Sequence, residues 1–184
     1  MRIRNVIILS LAVFLLGLSP VAGAESYQFP SIHAGIVLPD DVYQTVLTPD
    51  NLQAHEEFIK SKGGDAIAWA ADFSAKGILL QAYDTQNDRV LVITALKDVD
   101  AESIFDINEH PSQVRTKYRL SHGASGAYTI LGYKYDSVSW RNFSGIGRFL
   151  QLRYTYRLGN EVIHRGYQRR TVRNGYTITV DMQV

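Results

Sequence analysis

The fold is decided by the stretch Arg148-Phe-Leu-Gln-Leu-Arg-Tyr-Thr-Tyr-Arg-Leu158 and by the residues that follow it. Apolar and polar residues alternate along this stretch, and they alternate again along Tyr176-Thr-Ile-Thr-Val-Asp-Met-Gln-Val184. A period of two with one apolar face is typical of a half-buried β-strand. A further strand from Glu161 to about Thr171 lies between them, so this part of the chain is predicted to be a three-stranded antiparallel meander.

Two short turns join these strands. Gly159-Asn160 follows the first strand, and Arg173-Asn174-Gly175 precedes the last. Both contain residues that accept the positive φ angles of tight hairpin turns. We expect the polar residues of the first and last strands to share one face of the sheet, and the apolar residues to share the other. The polar set is Gln151, Arg153, Thr155, Arg157, Thr177, Thr179, Asp181 and Gln183.

The N-terminal residues have the features of a secretory signal. Arg2 and Arg4 precede an apolar run from Val6 to Leu18, and Ala22-Gly23-Ala24 fits a small-residue cleavage site. We therefore predict a signal peptide over residues 1–24 and a single domain over residues 25–184. The alternative is an uncleaved anchor, although the run is shorter than the ~20 apolar residues that a membrane span needs. After cleavage we expect no stable membrane span.

The absence of cysteine is informative in a chain predicted to be exported. Exported domains often rely on disulfides for stability. Since this chain has no cysteine, its stability must come from a packed core. The composition fits a bacterial export route, and we predict a secreted or cell-envelope location. Charge is unevenly distributed: residues 25–124 carry 8 basic and 15 acidic residues, whereas residues 125–184 carry 9 basic and 3 acidic ones. Such asymmetry is typical either of a partner surface or of acidic helices packed beside a basic sheet.

The remaining segments predict helices and strands in alternation. A helix is expected from Thr48, which is followed by Pro49, to the Gly63-Gly64 pair. Asp65 to Asp72 is interpreted as a strand, and two more strands are predicted at Ile78–Tyr83 and Arg89–Leu96. A second helix follows Asp100, and a long strand runs from Ala127 to Trp140, with a bulge near Gly132. Before the first helix, residues 25–47 are expected to be extended segments joined by a Pro-Asp turn.

These elements predict an α+β fold with a single twisted antiparallel β-sheet and two or three helices packed on it. The strand pair at Ile78–Lys97, the helix after Asp100, the strand Tyr128–Trp140 and the late hairpin Arg165–Thr179 resemble the PsbP-like fold. That fold is the α+β sandwich of the extrinsic oxygen-evolving-complex subunit and of small secreted bacterial proteins. The resemblance implies a binding or assembly role and supplies no catalytic residues. A nuclear-transport-factor-like cone is the rival architecture.

No catalytic or cofactor motif is present. The histidines, at positions 33, 55, 110, 122 and 164, form no pair with metal-ligand spacing, and there is no Gly-x-Ser-x-Gly elbow. Gly145-Ile-Gly147 lacks the third glycine and the helix of a dinucleotide-binding turn. We therefore predict no catalytic residues, no metal site and no cofactor.

A basic and aromatic surface of the meander is the candidate binding site. Guanidinium groups bind carboxylate and phosphate through paired hydrogen bonds, and they stack on aromatic rings. The alternative is that these arginines are solvated residues that protect the sheet from pairing with other chains. Tyr135 and Trp140 are added because they are candidates for the floor of an apolar pocket. The predicted ligand-binding residues are Arg153, Arg157, Arg165, Tyr167, Arg169, Arg170, Tyr135 and Trp140.

Two functions remain open. The first is an exported, non-enzymatic binding or assembly module that recognises an acidic ligand or an envelope protein, with a homodimer as a further option. The second is a hydrolase or other enzyme whose residues converge only in the folded chain. Nucleic acid is not expected as a partner, because the chain is exported and its net charge is close to zero.

Overall fold

A computed structural model of the chain describes residues 23–97, 132–144 and 147–184, and the side chains of residues 135, 136, 138 and 173 lie outside that description. The described part contains strands and two α-helices. The strands are β1 (Ala24–Phe29), β2 (Ala34–Pro39), β3 (Thr45–Leu47), β4 (Ile78–Asp84), β5 (Arg89–Lys97), β6 (Tyr133–Phe143), β7 (Gly147–Leu158), β8 (Glu161–Arg173) and β9 (Tyr176–Gln183). The helices are α1 (Glu56–Ser61) and α2 (Ala66–Lys76).

Seven of these strands form one antiparallel sheet in the order β3-β4-β5-β9-β8-β7-β6. Strands β1 and β2 form a separate antiparallel hairpin. The predicted fold class is confirmed, since the described chain is an antiparallel sheet with helices packed on it. The sequence predicted extended chain where the β1–β2 hairpin lies, but it did not predict that this hairpin forms a second small sheet.

The meander is confirmed almost to the residue. Strand β7 ends at Leu158 and strand β9 begins at Tyr176, as the alternation predicts. Gly159, Asn174 and Gly175 have φ angles of 61°, 54° and 73°, which are the left-handed values that the turns require. Strand β8 runs slightly further than predicted, to Arg173.

The two faces of the main sheet are covered by different elements. The β1–β2 hairpin packs on one face, which we call the hairpin side, against Leu80, Leu91, Ile93 and Val180. Helices α1 and α2 pack on the other face, the helix side, where Leu47, Ile59, Phe73 and Tyr83 form a second core.

The predicted grouping of polar residues is wrong. Strand register pairs Gln151 with Arg169, and Arg169 with Val180. Because residues paired across adjacent strands share a face, Gln151 and Arg153 lie on the hairpin side, with the apolar residues of β9. Asp181 is paired with Gln168 and lies on the helix side, with the apolar residues of β7. The alternation within each strand is as predicted, but the two apolar stripes face opposite ways.

The prediction of a strand at Asp65–Asp72 is also wrong, because this segment forms α2. Asp65 caps the helix by accepting hydrogen bonds from the backbone N–H groups of Ile67 and Ala68, and Gly77 ends it with a φ angle of 59°. The helix buries Ala66 and Phe73, seven residues apart, whereas Ile67 is 79% exposed. The apolar pattern of this segment therefore has a helical period, and Ile67 misled the interpretation as a strand.

The first predicted helix is shorter than expected. The chain makes a turn after Thr48 and a 3-10 helix at Gln53–His55 before α1 begins at Glu56. Thr48 does not cap this helix. Its backbone N–H donates to the Asn51 side chain instead, at 2.8 Å. Gly63 has a φ angle of 79° just after α1, as expected for a residue that stops a helix.

Several predictions lie outside the described residues. They are the signal peptide apart from its last two residues, the second helix after Asp100, and the part of the long strand that precedes Gly132. The described part of that strand is β6, and its register with β7 shifts between Tyr135 and Ser137, a few residues beyond the predicted bulge. Within the described ranges, no helix has the length and apolar character needed to cross a bilayer.

Candidate functional site

Five cationic side chains project from the hairpin side of β6, β7 and β8. Arg153 is paired with Ser137 and Tyr167, and Thr155 is paired with Lys134 and Arg165, so these residues share one face. Arg169 and Arg141 share the same face through Gln151 and Phe149. We call this surface the basic face. It consists of Lys134, Arg141, Arg153, Arg165, Tyr167 and Arg169.

Aromatic rings hold two of these arginines in place. The Cζ atom of Arg153 lies 5.0 Å from the centroid of the Tyr167 ring, and Tyr167 is 42% exposed. The Cζ atom of Arg169 lies 4.9 Å from the centroid of the Phe143 ring. A stacked guanidinium keeps its N–H groups directed outward in the ring plane, where they remain available to a carboxylate or phosphate.

Among the side chains that the structure describes, no acid forms an ion pair with the basic face. The ion pairs there join Lys60 to Glu56, Lys76 to Asp72 and Arg89 to Asp84. Burial lowers the pKa of Arg169, and the positive charge of Arg141 lowers this pKa further. Arg141 and Arg169 therefore repel one another electrostatically on the same face, and neither has an ion-pair partner among the described side chains.

The other predicted binding residues lie elsewhere. Arg170 faces the helix side and donates a hydrogen bond from Nη2 to Oε1 of Gln168 at 2.8 Å. Trp140 also faces the helix side, where the Cζ atom of Arg148 lies 4.3 Å from its ring centroid. Arg157 donates to the carbonyl of Asn160 in the β7–β8 turn. The side chain of Tyr135 lies outside the described residues. The structure thus brings Arg153, Arg165, Tyr167 and Arg169 together and places Arg170 and Trp140 on the other face of the sheet.

A buried polar cluster lies on the helix side, where β7, β8 and β9 meet. The hydroxyl of Tyr154 lies 2.8 Å and 3.0 Å from the two carboxylate oxygens of Asp181 and donates to them across β8. The ring of Tyr154 covers Gly166, and a Cβ atom added there would lie 2.4 Å from that ring. Gly166 is therefore the position that lets Tyr154 reach Asp181. Both Tyr154 and Asp181 are buried.

Asp181 also forms part of the wall of a groove between α2 and the sheet. The groove has a volume of about 520 Å3. Trp69 and Phe73 of α2 form one side of it. Gly64 allows the Trp69 ring to lie close, since a Cβ atom there would lie 2.2 Å from its Nε1. The lining residues on the described chain are Trp69, Asp72, Phe73, Lys76, Ile78, Gln81, Tyr83, Val92, Thr94, Tyr133, Asp181 and Gln183.

Burial raises the pKa of Asp181, although hydrogen bonds from Tyr154, Gln183 and Gln168 partly offset this effect. His164 lies beside the same cluster, and its ring contacts those of Tyr154 and Tyr156. Burial lowers the pKa of His164, while the charge of Asp181 opposes that change. Each group therefore resists ionisation because of the apolar residues around it.

The two surfaces differ in the chemical groups that they offer. Among the described residues, no group of three or more His, Asp or Glu side chains is arranged to hold a metal ion. His110 and His122 lie outside the described residues. The basic face offers fixed guanidinium groups, and the groove offers a carboxylate, two carboxamides and aromatic walls.

Comparison with known proteins identifies the fold. No protein-family model matches the chain, and no curated protein matches it. The solution structure of cyanobacterial PsbP (CyanoP) from Synechocystis sp. PCC 6803 is similar, with a TM-score of 0.55 and 14% sequence identity. The match covers 94% of this chain and 86% of the other. The chain therefore has a PsbP-like α+β fold, as its sequence resemblance implied.

Sequence reasoning missed two cations of the basic face and the whole of the groove, including Asp181. Arg141 and Lys134 were overlooked because they lie on β6, outside the meander that drew attention to the arginines. Asp181 was assigned to a solvated face, since its neighbours Thr179 and Gln183 are polar. The sequence offered one signal for Asp181: it is the single acidic residue of the last predicted strand.

Proposed function

We propose that this chain is an exported binding or assembly protein, located outside the cytoplasm, that uses its basic face to hold an acidic partner. The partner is an acidic ligand or an acidic surface of an envelope protein. The observation that carries the proposal is the juxtaposition of Arg141 and Arg169 on a face without a described acidic partner. Holding like charges together costs free energy, and a bound anion would offset that cost.

The geometry supports an extended acidic partner in preference to a single small anion. The cations are distributed over β6, β7 and β8, and neighbouring strands lie about 4.8 Å apart. Arg153 and Arg169 are held by Tyr167 and Phe143, so fewer rotamers are lost when they bind. A partner with several carboxylate or phosphate groups would contact more than one of these guanidinium groups. The proposed extracytoplasmic location depends on the signal peptide that the sequence predicts at residues 1–24, and the lack of cysteine favours a bacterial source.

The test measures binding of fluorescein-labelled poly-L-glutamate to residues 25–184 by fluorescence anisotropy. We expect saturable binding that weakens as salt rises from about 20 mM to about 300 mM, because screening shortens the range of the interaction. Arg153→Gln/Arg169→Gln is expected to lose about tenfold or more in affinity, since hydrogen bonds to charged groups contribute about 1.5–3 kcal/mol each.

The matched control is Lys60→Gln/Lys62→Gln, which removes the same charge from α1 and the residue after it, on the helix side. We expect this control to bind within about twofold of the unaltered chain at about 150 mM salt. If both double variants lose the same affinity, net charge and not the basic face determines binding, and the proposal is wrong. Absence of any binding at low salt would also overturn the use of this face for acidic chains.

A further inference from the structure

The groove between α2 and the main sheet has the size and lining of a small-molecule site. Its volume of about 520 Å3 lies within the range of about 300–1,000 Å3 that is usual for ligand pockets. Trp69, Phe73, Tyr83 and Tyr133 contribute aromatic rings to its walls. Trp69 and Phe73 are stacked with ring centroids 6.4 Å apart, so α2 presents a continuous aromatic wall. Such walls bind apolar groups and favour cations over anions, because the ring faces are electron-rich.

Asp181 gives the described groove a net negative charge. The other charged residues of the lining are Asp72 and Lys76, which form an ion pair at 2.5 Å and neutralise one another. Asp181 is 8% exposed, and its described neighbours are the neutral donors Tyr154 and Gln183 together with His164. No described cation forms an ion pair with it.

The hydrogen bonds that Asp181 accepts come from neutral side chains, so no described ion pair neutralises its charge. Tyr154, Gln183 and Gln168 supply hydrogen bonds from the protein. Gln183 donates from Nε2 to Oδ2 of Asp181 at 3.2 Å, and its own Oε1 is a further acceptor beside the groove. The polar end of the groove therefore presents acceptors, whereas an anionic ligand would need donors.

From these observations we propose that the groove binds a small organic cation: an ammonium group contacts Asp181 and Gln183, and an apolar or aromatic body packs on Trp69 and Phe73. This site is separate from the basic face, because it lies on the opposite side of the sheet and has the opposite charge. An organic cation fits better than a metal ion, since the described groove residues supply no cluster of carboxylates and histidines.

The probe is 2-phenylethylamine, with 2-phenylethanol as a neutral analogue of the same shape and 3-phenylpropionate as an anionic one. Binding is followed by the fluorescence of Trp69 in a Trp140→Phe background, where Trp69 is the remaining one of the two tryptophans. We expect saturable quenching by the amine with a Kd of about 1 mM or tighter. We expect the alcohol to bind about tenfold more weakly, and the acid not to bind.

Two variants assign the selectivity to the groove. Asp181→Asn keeps the shape of the side chain and is expected to reduce the preference for amine over alcohol to about twofold or less. Gln183→Leu keeps the carboxylate but removes one of its hydrogen-bond donors and the Oε1 acceptor beside it, so it should weaken the amine while leaving it preferred. Asp72→Asn/Lys76→Gln is the matched control, because it removes both members of a neutral ion pair from the groove, and it should keep the selectivity.

Other results would overturn the proposal. Equal binding of the three probes would show an apolar site without charge recognition, and no saturable quenching would show that the groove takes no such ligand. If Asp181→Asn does not fold, Gln183→Leu and the selectivity of the unaltered chain still decide the question. The result is independent of the basic face, because Arg153→Gln/Arg169→Gln should bind the amine as the unaltered chain does.

Discussion

Strands β5 and β9, in one half of the main sheet, carry their main apolar stripe on the hairpin side, whereas β7, in the other half, carries it on the helix side. In β4, β5 and β9, the buried residues Leu80, Leu91 and Val180 face the β1–β2 hairpin. In β7, the buried residues Leu150 and Leu152 face the helix side, because they are paired with Arg170 and Gln168 of β8. Strand β8 lies between the halves and carries polar residues on both faces. The hairpin side of β6–β8 therefore carries the arginines of the basic face, and the Tyr154–Asp181 pair lies on the helix side, across β8.

This difference teaches what hydrophobic alternation does and does not determine. Alternation shows which residues of one strand share a face. The strand register then decides which face of the sheet that is, and a shift of one residue exchanges the two. Both proposed surfaces arise because the apolar stripes of β7 and β9 face opposite sides of the sheet. The polar stripe of β7 contributes to the basic face, and the polar stripe of β9 contributes Asp181 to the groove.

The largest expected effect tests whether the two halves have separate cores. Leu91→Ala removes a buried side chain from the hairpin side, and Leu152→Ala removes an equally buried one from the helix side. Each substitution should lower the free energy of unfolding by about 2–5 kcal/mol, because it loses apolar burial and leaves a cavity. Strands β5 and β7 are three positions apart in the sheet, or about 14 Å. The two losses should therefore add in the double variant to within about 0.5 kcal/mol.

The measurement is urea unfolding followed by circular dichroism for the two single variants and the double variant. Leu152→Val serves as a milder control, which should cost about 1 kcal/mol. A coupling energy above about 1 kcal/mol would mean that the two apolar layers act as one core. The description of the sheet as two halves with independent cores would then fail.

An intermediate effect is expected at the hydrogen bond between Tyr154 and Asp181, which joins β7 to β9. Tyr154→Phe removes the hydrogen bond to the buried carboxylate of Asp181 and should cost about 1.5–3 kcal/mol near neutral pH, since bonds to charged groups are strong. The cost should shrink in acid. The bond stabilises the ionised form of Asp181, and the folded chain protonates this group at a pKa raised above its usual value by burial.

Asp84 provides the comparison, because it is buried in the other half with a cationic partner. Burial alone would raise its pKa, but hydrogen bonds from Arg89 and Asn87 hold it below the usual value. Above its unfolded pKa, Asp84 therefore stabilises the fold, and this stabilisation is lost as pH falls through the lowered folded pKa. For Asp181 the sign is reversed: between its unfolded pKa and the raised folded value, the native chain binds more protons, so stability falls as pH rises.

The free energy of unfolding of Asp84→Asn and of Asp181→Asn, measured from about pH 3 to about pH 8, distinguishes the two carboxylates. Relative to the unaltered chain, Asp84→Asn should become less destabilising as pH falls. Asp181→Asn should become more favourable as pH rises, since it removes a carboxylate that resists ionisation. If both variants shift stability with the same slope, the two carboxylates do not differ in the way that their partners imply.

Much of the fold was predictable because it depends on local signals. The strict alternation in β7 and β9 and the glycines and asparagines of the turns set the bounds of the meander. Helix α2 was missed although its Asp65 cap and its Gly77 end were present in the sequence. The short alternation of Ile67 and Trp69 outweighed those signals, because exposed apolar residues on a helix mimic the period of a strand.

The candidate surfaces were predictable only in part. Arg153, Arg165, Tyr167 and Arg169 belong to two adjacent strands of one meander, so their proximity followed from the alternation. Arg170 was grouped with them because β8 is polar on both faces, and its sequence therefore does not show which residues face which side of the sheet. The contact between Tyr154 and Asp181 depends on Gly166, a residue on a third strand. Such contacts follow from register between strands, which alternation within one strand does not specify.

The smallest expected effect concerns the charges of the basic face. Burial lowers the pKa of Arg169, and the charge of Arg141 lowers it further. Arg141→Gln removes that repulsion and should raise the free energy of unfolding by a few tenths of a kcal/mol at about 20 mM salt. For a domain of this size, such a change raises Tm by about 1 °C. Lys60→Gln is the matched control, because it breaks an ion pair with Glu56 at 2.7 Å and should lower Tm slightly. Both shifts should disappear at about 1 M salt, where the Debye length is about 3 Å.

If Arg141→Gln instead lowers Tm at low salt, Arg141 has a stabilising partner in the chain, and the basic face is a structural network without surplus charge. If Tm rises as expected, the chain retains a cation that costs stability, which favours a role for Arg141 in binding an acidic partner.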